Sequence, residues 1–175
     1  MNMTVGMEKA LVNTVHAYTP PQNLVDGPVK GKDFRRGRAG ASNIVPSSTG
    51  AAISVTRAFP ELAGKFDGVS VRVPAICGSL VDFVFVSKRP TTVEEINSIL
   101  KRSAKEKRWK DILAVTDEQL VSSDIIGSSY GAIVDLKFTQ VVDNNLVRIF
   151  SWYDNEWGYV STLVKHALKV IESLK

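Results

Sequence analysis

A chain of 175 residues that is 44% hydrophobic and 23% charged has the composition of one soluble globular domain, and two domains would be cramped in it. Its apolar runs are too short for a membrane span and Met1–Thr4 lacks the apolar centre of a secretory signal, so we expect a cytoplasmic location. Cys77 is the only cysteine, which excludes an internal disulfide and argues against a thiol-based metal site, and the net charge of +4 suits a small anion at least as well as a polynucleotide.

The first predicted element is a strand over Lys9–Tyr18, which is rich in Val, Leu, Thr and Tyr and contains neither Gly nor Pro. Alternation along this strand places His16 near its end. Pro20 and Pro21 then end strand pairing, because a proline nitrogen has no hydrogen to donate. A lone histidine on a strand is more often structural than catalytic, so its role depends on its neighbours.

The arginine-rich loop, residues 20–43, follows this strand and concentrates positive charge. Between positions 30 and 38 the only acid is Asp33, and the cations are Lys30, Lys32, Arg35, Arg36 and Arg38. Such cations need an external anion or a distant carboxylate. For Arg35 and Arg38 an oligomer interface and a ligand are equally good interpretations, whereas a ligand is favoured for Arg36.

A capped helix is predicted next, because Ser47, Ser48, Thr49 and Gly50 precede an apolar run. The exposed amide hydrogens at a helix start favour a phosphate, although Thr49 and Gly50 could equally serve only as a cap. The helical pattern covers Thr49–Leu62, and Pro60 should end or kink it.

Strands dominate the next part of the chain. They are predicted at Val69–Val73, Leu80–Ser87, Ile112–Val115, Ala132–Val142 and Leu146–Trp152. The first two are expected to pair antiparallel across the turn between them, and the last two to form a hairpin. Arg72 lies in an apolar strand, where an unpaired charge is costly, so it needs an anion or a carboxylate partner.

Two further helices complete the pattern. Thr91 and Thr92, each followed by a glutamate three residues later, predict a capped surface helix that runs to about Lys107. Apolar spacing predicts a long helix over 155–175. Together these elements predict an α+β fold with a largely antiparallel mixed sheet, covered on one face by about three helices. No dinucleotide or Walker glycine motif occurs, so the chain has no recognisable nucleotide-phosphate cradle.

Six segments together carry a family resemblance: NTVHAYT, LVDGP, FRRGRAGASNIVPSSTGAA, VSVRVP, LVSSDIIGSS and SWYDNEWGY. In this order and spacing they resemble the glyceraldehyde-3-phosphate dehydrogenase family, over Val5–Lys175 and in its catalytic half only. The resemblance implies one catalytic domain, residues 1–175, of a glycolytic, phosphorylating, NAD-dependent enzyme that oxidises an aldehyde through a cysteine thioester to an acyl phosphate. In that family the NAD-binding domain and the nucleophilic cysteine precede this region, so the isolated chain is expected to be inactive.

The resemblance also implies roles for individual residues. His16 resembles the histidine that activates the cysteine thiolate and then serves as acid or base. Thr19, Arg36 and Arg72 resemble the site that holds the phosphate of the substrate, a small phosphorylated aldehyde. Cys77 does not match the motif of the nucleophile, so we expect it to be a small buried packing residue.

A second phosphate site and part of the cofactor site follow from the same resemblance. Thr49 and Gly50, with Arg72, resemble the site for inorganic phosphate, the co-substrate. Asn155 resembles the residue that fixes the nicotinamide carboxamide, and Tyr159 would pack beside that ring. No metal site is implied.

Two alternatives stay open. The chain could be a non-catalytic assembly or interaction module, since family members are typically homotetramers in which the arginine-rich loop packs near a neighbouring subunit. It could also belong to a related sugar-phosphate dehydrogenase, such as erythrose-4-phosphate dehydrogenase. In the arginine-rich loop, Gly27 and Pro28 resemble NAD-preferring members of the family more than NADP-using ones. RNA binding ranks low because the strands carry no aromatic motif of the RNA-recognition kind.

Overall fold

The computed structural model describes residues 1–174, and Lys175, the predicted last residue of the final helix, lies outside them. The strands are β1 Met7–Ala17, β2 Val45–Ser48, β3 Phe66–Val73, β4 Ser79–Ser87, β5 Leu113–Thr116, β6 Ala132–Val142 and β7 Leu146–Tyr153. The α-helices are α1 Ala51–Ala58, α2 Val93–Lys105 and α3 Trp157–Ser173. Within residues 1–174, none of the helices has the length and apolar character needed to cross a bilayer.

The seven strands form one mixed sheet in the order β2-β3-β1-β4-β7-β6-β5. β1 is parallel to β3 and β5 is parallel to β6, while the remaining neighbours are antiparallel. The predicted α+β fold with a largely antiparallel sheet is confirmed. The predicted hairpin between β6 and β7 is also confirmed, and its turn residues Asp143 and Asn144 adopt left-handed φ angles of 49° and 58°, which Asp and Asn tolerate.

The predicted pairing between the strands now labelled β3 and β4 is wrong. β1 lies between them, parallel to β3 and antiparallel to β4. The turn that joins β3 to β4 reverses the chain, but local sequence cannot show that a third strand inserts between them. This insertion has a functional consequence, because the β1–β3 register places His16 directly opposite Arg72.

Ser47 and Ser48 do not cap a helix, because they belong to the edge strand β2. Pro46 is compatible with this position, since the missing N–H of a proline is tolerated on edge strands. The helix begins at Ala51, whose N–H donates to Thr49 Oγ1 at 3.2 Å. It ends at Ala58, before Pro60, as predicted.

The hydrophobic core lies on one face of the sheet, where α2 packs against β5 and β6. The Glu95 N–H donates to Thr92 Oγ1 at 3.2 Å, which confirms the predicted cap. Ile96 and Leu100 of this helix are buried in one cluster with Phe85 of β4, and burying each such side chain contributes roughly 1.5–3 kcal/mol. α3 contributes little, because Gly158 is its only buried residue in the described chain.

Candidate active site

The candidate site lies where β1 and β3 end side by side. Arg72 on β3 reaches across to β1, and its Nη1 lies 2.7 Å from His16 Nδ1, 3.2 Å from Ala17 O and 3.3 Å from Thr19 Oγ1. Three residues named from the sequence, His16, Thr19 and Arg72, are therefore brought together. Parallel pairing of β1 with β3 produces this arrangement, because it aligns the carboxyl ends of both strands.

The position of one proton decides what His16 can do. His16 Nδ1 lies 2.6 Å from Ala17 O and 2.7 Å from Arg72 Nη1, so it can donate to the carbonyl or accept from the guanidinium, but not both. Arg72 Nη1 has Ala17 O and Thr19 Oγ1 as other acceptors, whereas an unprotonated Nδ1 would place its lone pair 2.6 Å from the lone pairs of Ala17 O. The favoured tautomer carries its proton on Nδ1, which leaves the Nε2 lone pair free to act as a base.

The surroundings of His16 favour its neutral form. Partial burial lowers the pKa of His16, and the positive charge of Arg72 acts in the same direction, while the hydrogen bond to Ala17 opposes both. Tyr153 supports the ring from the side, with centroids 6.0 Å apart and planes at 72°. An imidazole in this setting is available as a base near neutral pH.

Arg36 and Arg72 are two neighbouring cations whose Nε groups lack hydrogen-bond acceptors in the described chain. Burial lowers the pKa of Arg72, and the charge of Arg36 lowers it further, although Tyr153 opposes this. The Nε atoms of both arginines are buried and have no hydrogen-bond partner within residues 1–174. The nearest carboxylate oxygen to Arg36 Nε is Asp33 Oδ2 at 3.8 Å, too far for a hydrogen bond. The arrangement fits an anion with several oxygens, such as a phosphate group.

The other two arginines of the arginine-rich loop find partners inside it. Arg35 Nε donates to Asp33 at 2.7 Å, and Arg38 Nε donates to Asp26 at 2.9 Å. Asp26, 12 positions before Arg38, is a distant carboxylate of the kind that the cations of this loop were expected to need. These pairs neutralise Arg35 and Arg38 locally and leave Arg36 as the loop arginine whose charge acts on Arg72.

Gln22 is a site residue that the sequence did not reveal. It is 4% exposed, and its Oε1 accepts hydrogen bonds from Thr19 N at 2.9 Å and Thr19 Oγ1 at 3.2 Å. The Thr19 hydroxyl hydrogen is therefore directed at Gln22, and the oxygen lone pairs remain for Arg72. The available signal was the tight turn Thr19-Pro-Pro-Gln22, which brings the two ends together.

The structure does not join Thr49 and Gly50 to His16. Ser48 pairs with Val69 on β3, three residues before Arg72, which is about 10 Å along the strand. No hydrogen bond links either residue to His16 or Arg72 in the described chain. Their role in holding inorganic phosphate remains a prediction.

Asn155 lies two residues after the end of β7 and is held in one orientation. Its Oδ1 accepts from Gly78 N at 3.2 Å and from Ser79 Oγ at 3.2 Å, while its Nδ2 has no partner in the described chain. A free amide donor fits a ligand that presents a carbonyl oxygen, as a nicotinamide carboxamide does. Tyr159, in the first turn of α3, is 65% exposed and has an open ring face.

Asp154 fixes the backbone beside Asn155. It accepts hydrogen bonds from the N–H groups of Gly127, Glu156 and Trp157, at 2.9, 2.8 and 2.7 Å. Although its burial acts in the opposite direction, these bonds lower the pKa of Asp154. The carboxylate thereby ties the start of α3 to the loop before β6.

Cys77 is half-buried, so the expectation of a small buried packing residue is only partly right. Its Sγ lies 3.9 Å from Asn155 Oδ1, and burial together with Asp154 raises the pKa of the thiol. A raised pKa disfavours the nucleophilic thiolate. Residues 1–174 contain no group of three His, Cys, Asp or Glu side chains arranged to hold a metal ion.

Comparison with known proteins gives one consistent family. Residues 1–155 match the family described as "Glyceraldehyde 3-phosphate dehydrogenase, C-terminal domain". The chain is 45% identical over 168 residues to glyceraldehyde-3-phosphate dehydrogenase of Clostridium pasteurianum, covering 94% of this chain and 49% of that protein. The corresponding enzyme of Mycobacterium avium is 47% identical over 169 residues, covering 97% and 49%. The chain thus spans about half the length of the curated relatives it matches.

Proposed function

This chain belongs to the glyceraldehyde-3-phosphate dehydrogenase family, and we propose that residues 1–175 form the catalytic domain of a phosphorylating, NAD-dependent glyceraldehyde-3-phosphate dehydrogenase. The rest of such an enzyme, including the nucleophilic cysteine and most of the NAD site, would be supplied by protein outside these residues. The proposed working form is a cytoplasmic homotetramer.

The observation that carries this proposal is a histidine of lowered pKa beside two arginines whose Nε atoms have no hydrogen-bond acceptor in the described chain. The buried Nε atoms of Arg36 and Arg72 have no acceptor in residues 1–174, and His16 Nδ1 lies 2.7 Å from Arg72 Nη1. A phosphate carried by the substrate would supply the missing acceptors and would hold the aldehyde carbon near the imidazole. Thr19, oriented by Gln22, adds a hydroxyl to the same anion site.

His16 would carry the proton transfers. With Nδ1–H held by Ala17 O, Nε2 is the atom that takes the proton from the cysteine thiol and returns it later in the reaction. The lowered pKa of His16 keeps this nitrogen unprotonated near neutral pH. The reaction would pass through a thioester on that cysteine and end as an acyl phosphate when inorganic phosphate attacks.

Asn155 and Tyr159 would provide this chain's part of the cofactor site. Asn155 Nδ2 is free to donate to the carboxamide oxygen, since Oδ1 is occupied by Gly78 and Ser79, and the exposed Tyr159 ring could pack beside the nicotinamide. The bound NAD would accept the hydride. Inorganic phosphate would be held by Thr49, Gly50 and Arg72, provided that the substrate complex brings these residues closer together.

The test is replacement of His16 in a protein that joins this chain to the NAD-binding half and its cysteine. His16→Asn should lower the turnover of glyceraldehyde 3-phosphate by about 10²-fold or more, because general acid–base assistance is lost. His166→Asn, at an exposed position on α3, is the matched control and should keep the parent rate.

Two outcomes would contradict the proposal. An unchanged rate for His16→Asn would remove His16 from the mechanism, and oxidation of the aldehyde by the isolated 175-residue chain would show that no external cysteine is needed. Preference for erythrose 4-phosphate in the same assay would favour the related sugar-phosphate dehydrogenase.

A second candidate, an assembly module, is favoured by exposed apolar surface in two places. Phe34 and Leu24, in the arginine-rich loop, are 77% and 70% exposed. Leu11 and Phe138, on the sheet face opposite the core, are 65% and 50% exposed. Exposed apolar surface of this extent suits contact with another copy of the chain. This candidate is compatible with the enzymatic one, because a tetrameric enzyme needs both surfaces.

A further inference from the structure

Ser79, the first residue of β4, joins two parts of the candidate site that lie on different strands. It is 1% exposed. Its Oγ accepts a hydrogen bond from Ala17 N at 3.3 Å and donates one to Asn155 Oδ1 at 3.2 Å. One buried hydroxyl therefore connects the end of the strand that carries His16 with Asn155, two residues after β7.

The groups at the two ends of this series of hydrogen bonds fix the direction of each bond between Ala17, Ser79 and Asn155. The N–H of Gly78 can only donate, so Asn155 must turn its oxygen toward β4. The N–H of Ala17 can also only donate, so the Ser79 oxygen must accept it and the Ser79 hydrogen must go to Asn155. The amide nitrogen of Asn155 is then left as the group presented to a ligand.

The same hydroxyl acts on His16 through Ala17. Ser79 holds the N–H of Ala17, and the carbonyl of Ala17 accepts from His16 Nδ1 at 2.6 Å. Tyr153, which pairs with Ser79 in the β4–β7 ladder, packs its ring against the imidazole. A displacement of Ser79 would therefore shift the imidazole through both the Ala17 backbone and the Tyr153 ring.

We propose that Ser79 is a positioning residue that couples the orientation of His16 to that of Asn155. It fixes the imidazole through Ala17, and it presents the Asn155 NH₂ group as a hydrogen-bond donor. The site then accepts a ligand group with an acceptor oxygen and disfavours one with only donors. The part of Ser79 in hydride transfer rests on the proposed function, whereas the coupling between His16 and Asn155 does not.

Removal of the hydroxyl tests the coupling directly in the 175-residue chain, by NMR titration of the His16 ring and observation of the Asn155 side-chain amide. In Ser79→Ala the His16 pKa should fall by about half a unit, because a less firmly held Ala17 carbonyl supports Nδ1–H less well. The two Asn155 amide signals should broaden as the side chain gains freedom. Ser79→Thr retains the hydroxyl and should restore both signals.

Ser70→Ala is the matched control. Ser70 is 2% exposed on β3, and its Oγ has no hydrogen-bond partner in the described chain. The variant therefore removes a buried hydroxyl that makes no hydrogen bond. It should leave the His16 titration and the Asn155 signals unchanged. If Ser79→Ala behaves like Ser70→Ala, Ser79 is only a core residue and the proposal is wrong.

A double-mutant cycle supplies the reciprocal test. Asn155→Ala should also shift the His16 titration in the parent chain, but should add little when Ser79 is already alanine. Fully additive shifts of the His16 pKa would overturn the coupling. An unchanged His16 titration in Asn155→Ala alone would overturn it as well. The single variant Asn155→Ala therefore decides the question if Ser79→Ala fails to fold. None of these measurements needs NAD or turnover. A fully active His16→Asn enzyme would therefore refute the proposed function while leaving the coupling intact.

Discussion

His16 binds protons less readily in the folded chain than in the unfolded chain, and this difference makes stability depend on pH. Its pKa is lowered from 6.5 by burial and by Arg72. The contribution of His16 to the free energy of unfolding is therefore fully present above the unfolded pKa, and is lost as pH falls through the folded pKa. We expect the free energy of unfolding to fall more steeply in the parent chain than in His16→Gln between about pH 7 and pH 5.

Urea denaturation at several pH values measures this difference. The comparison uses the slope with pH, because loss of the Ala17 and Arg72 contacts in His16→Gln adds an offset that does not depend on pH. His166→Gln, at an exposed position, should keep the slope of the parent chain. Equal slopes for the parent chain and His16→Gln would show that His16 is not protected from protonation.

Sequence identified the residues with distinctive chemistry at the site and missed those that orient them. His16 and Arg72 carry side chains whose chemistry is readable one residue at a time, whereas Asn155 was indicated only by the family resemblance. Gln22 and Ser79 act on backbone groups and amide orientation, and these depend on contacts across 3 and 62 positions of the chain. A buried Ser or Gln looks the same in a sequence whether or not it holds a functional neighbour.

The turn between β3 and β4 depends on one glycine. Gly78 has φ +85°, and a Cβ at this position would lie 2.3 Å from Ser122 O. Gly127 has nearly the same φ, +84°, but a Cβ there would meet nothing within 4 Å. The two positions share the conformational cost of alanine in left-handed backbone, roughly 1–2 kcal/mol, and differ in steric overlap.

Comparison of Gly78→Ala with Gly127→Ala therefore isolates the overlap. We expect Gly78→Ala to lower the free energy of unfolding by about 1–3 kcal/mol more than Gly127→Ala does, the usual cost of overpacking. Denaturant titration of both variants measures this. In Gly78→Ala the Asn155 amide should also lose its fixed orientation, because Gly78 N is one of its two strong donors. Equal destabilisation by both variants would show that the contact with Ser122 relaxes at no cost.

Elements stabilised by neighbouring residues were predictable, and elements stabilised by distant ones were not. α2 and the β6–β7 hairpin depend on a cap and a turn that lie inside their own sequence. β2 and the β1–β3 pairing join segments about 25 and 56 residues apart, and no local pattern specifies which strand inserts where. This is why local sequence could not give the register that sets His16 opposite Arg72, and why their closeness was expected only from the family resemblance.

The whole molecule has one covered sheet face and one open face. The core and α2 lie on the covered face. The open face carries Leu11, Val69 and Phe138, each at least half exposed. Near its centre Asp82 and Arg148 form a two-fold hydrogen-bonded ion pair at 2.8 and 2.6 Å. Because the charges of Asp82 and Arg148 are already paired within this face, its apolar residues can pack against another copy of the chain without leaving those two charges unpaired.

Self-association of the chain should therefore weaken when this open face acquires charge. Leu11→Asp should shift the 175-residue chain toward monomer in sedimentation equilibrium, because an aspartate would be buried without a partner in a sheet-to-sheet contact. Phe34→Asp tests the arginine-rich loop as a separate surface. Ile76→Asp introduces the same charge at an 87% exposed position in the β3–β4 turn, and should leave association unchanged. If all three variants associate like the parent chain, neither surface binds a second copy and the assembly role is lost, while the assay of His16→Asn would still decide the catalytic one.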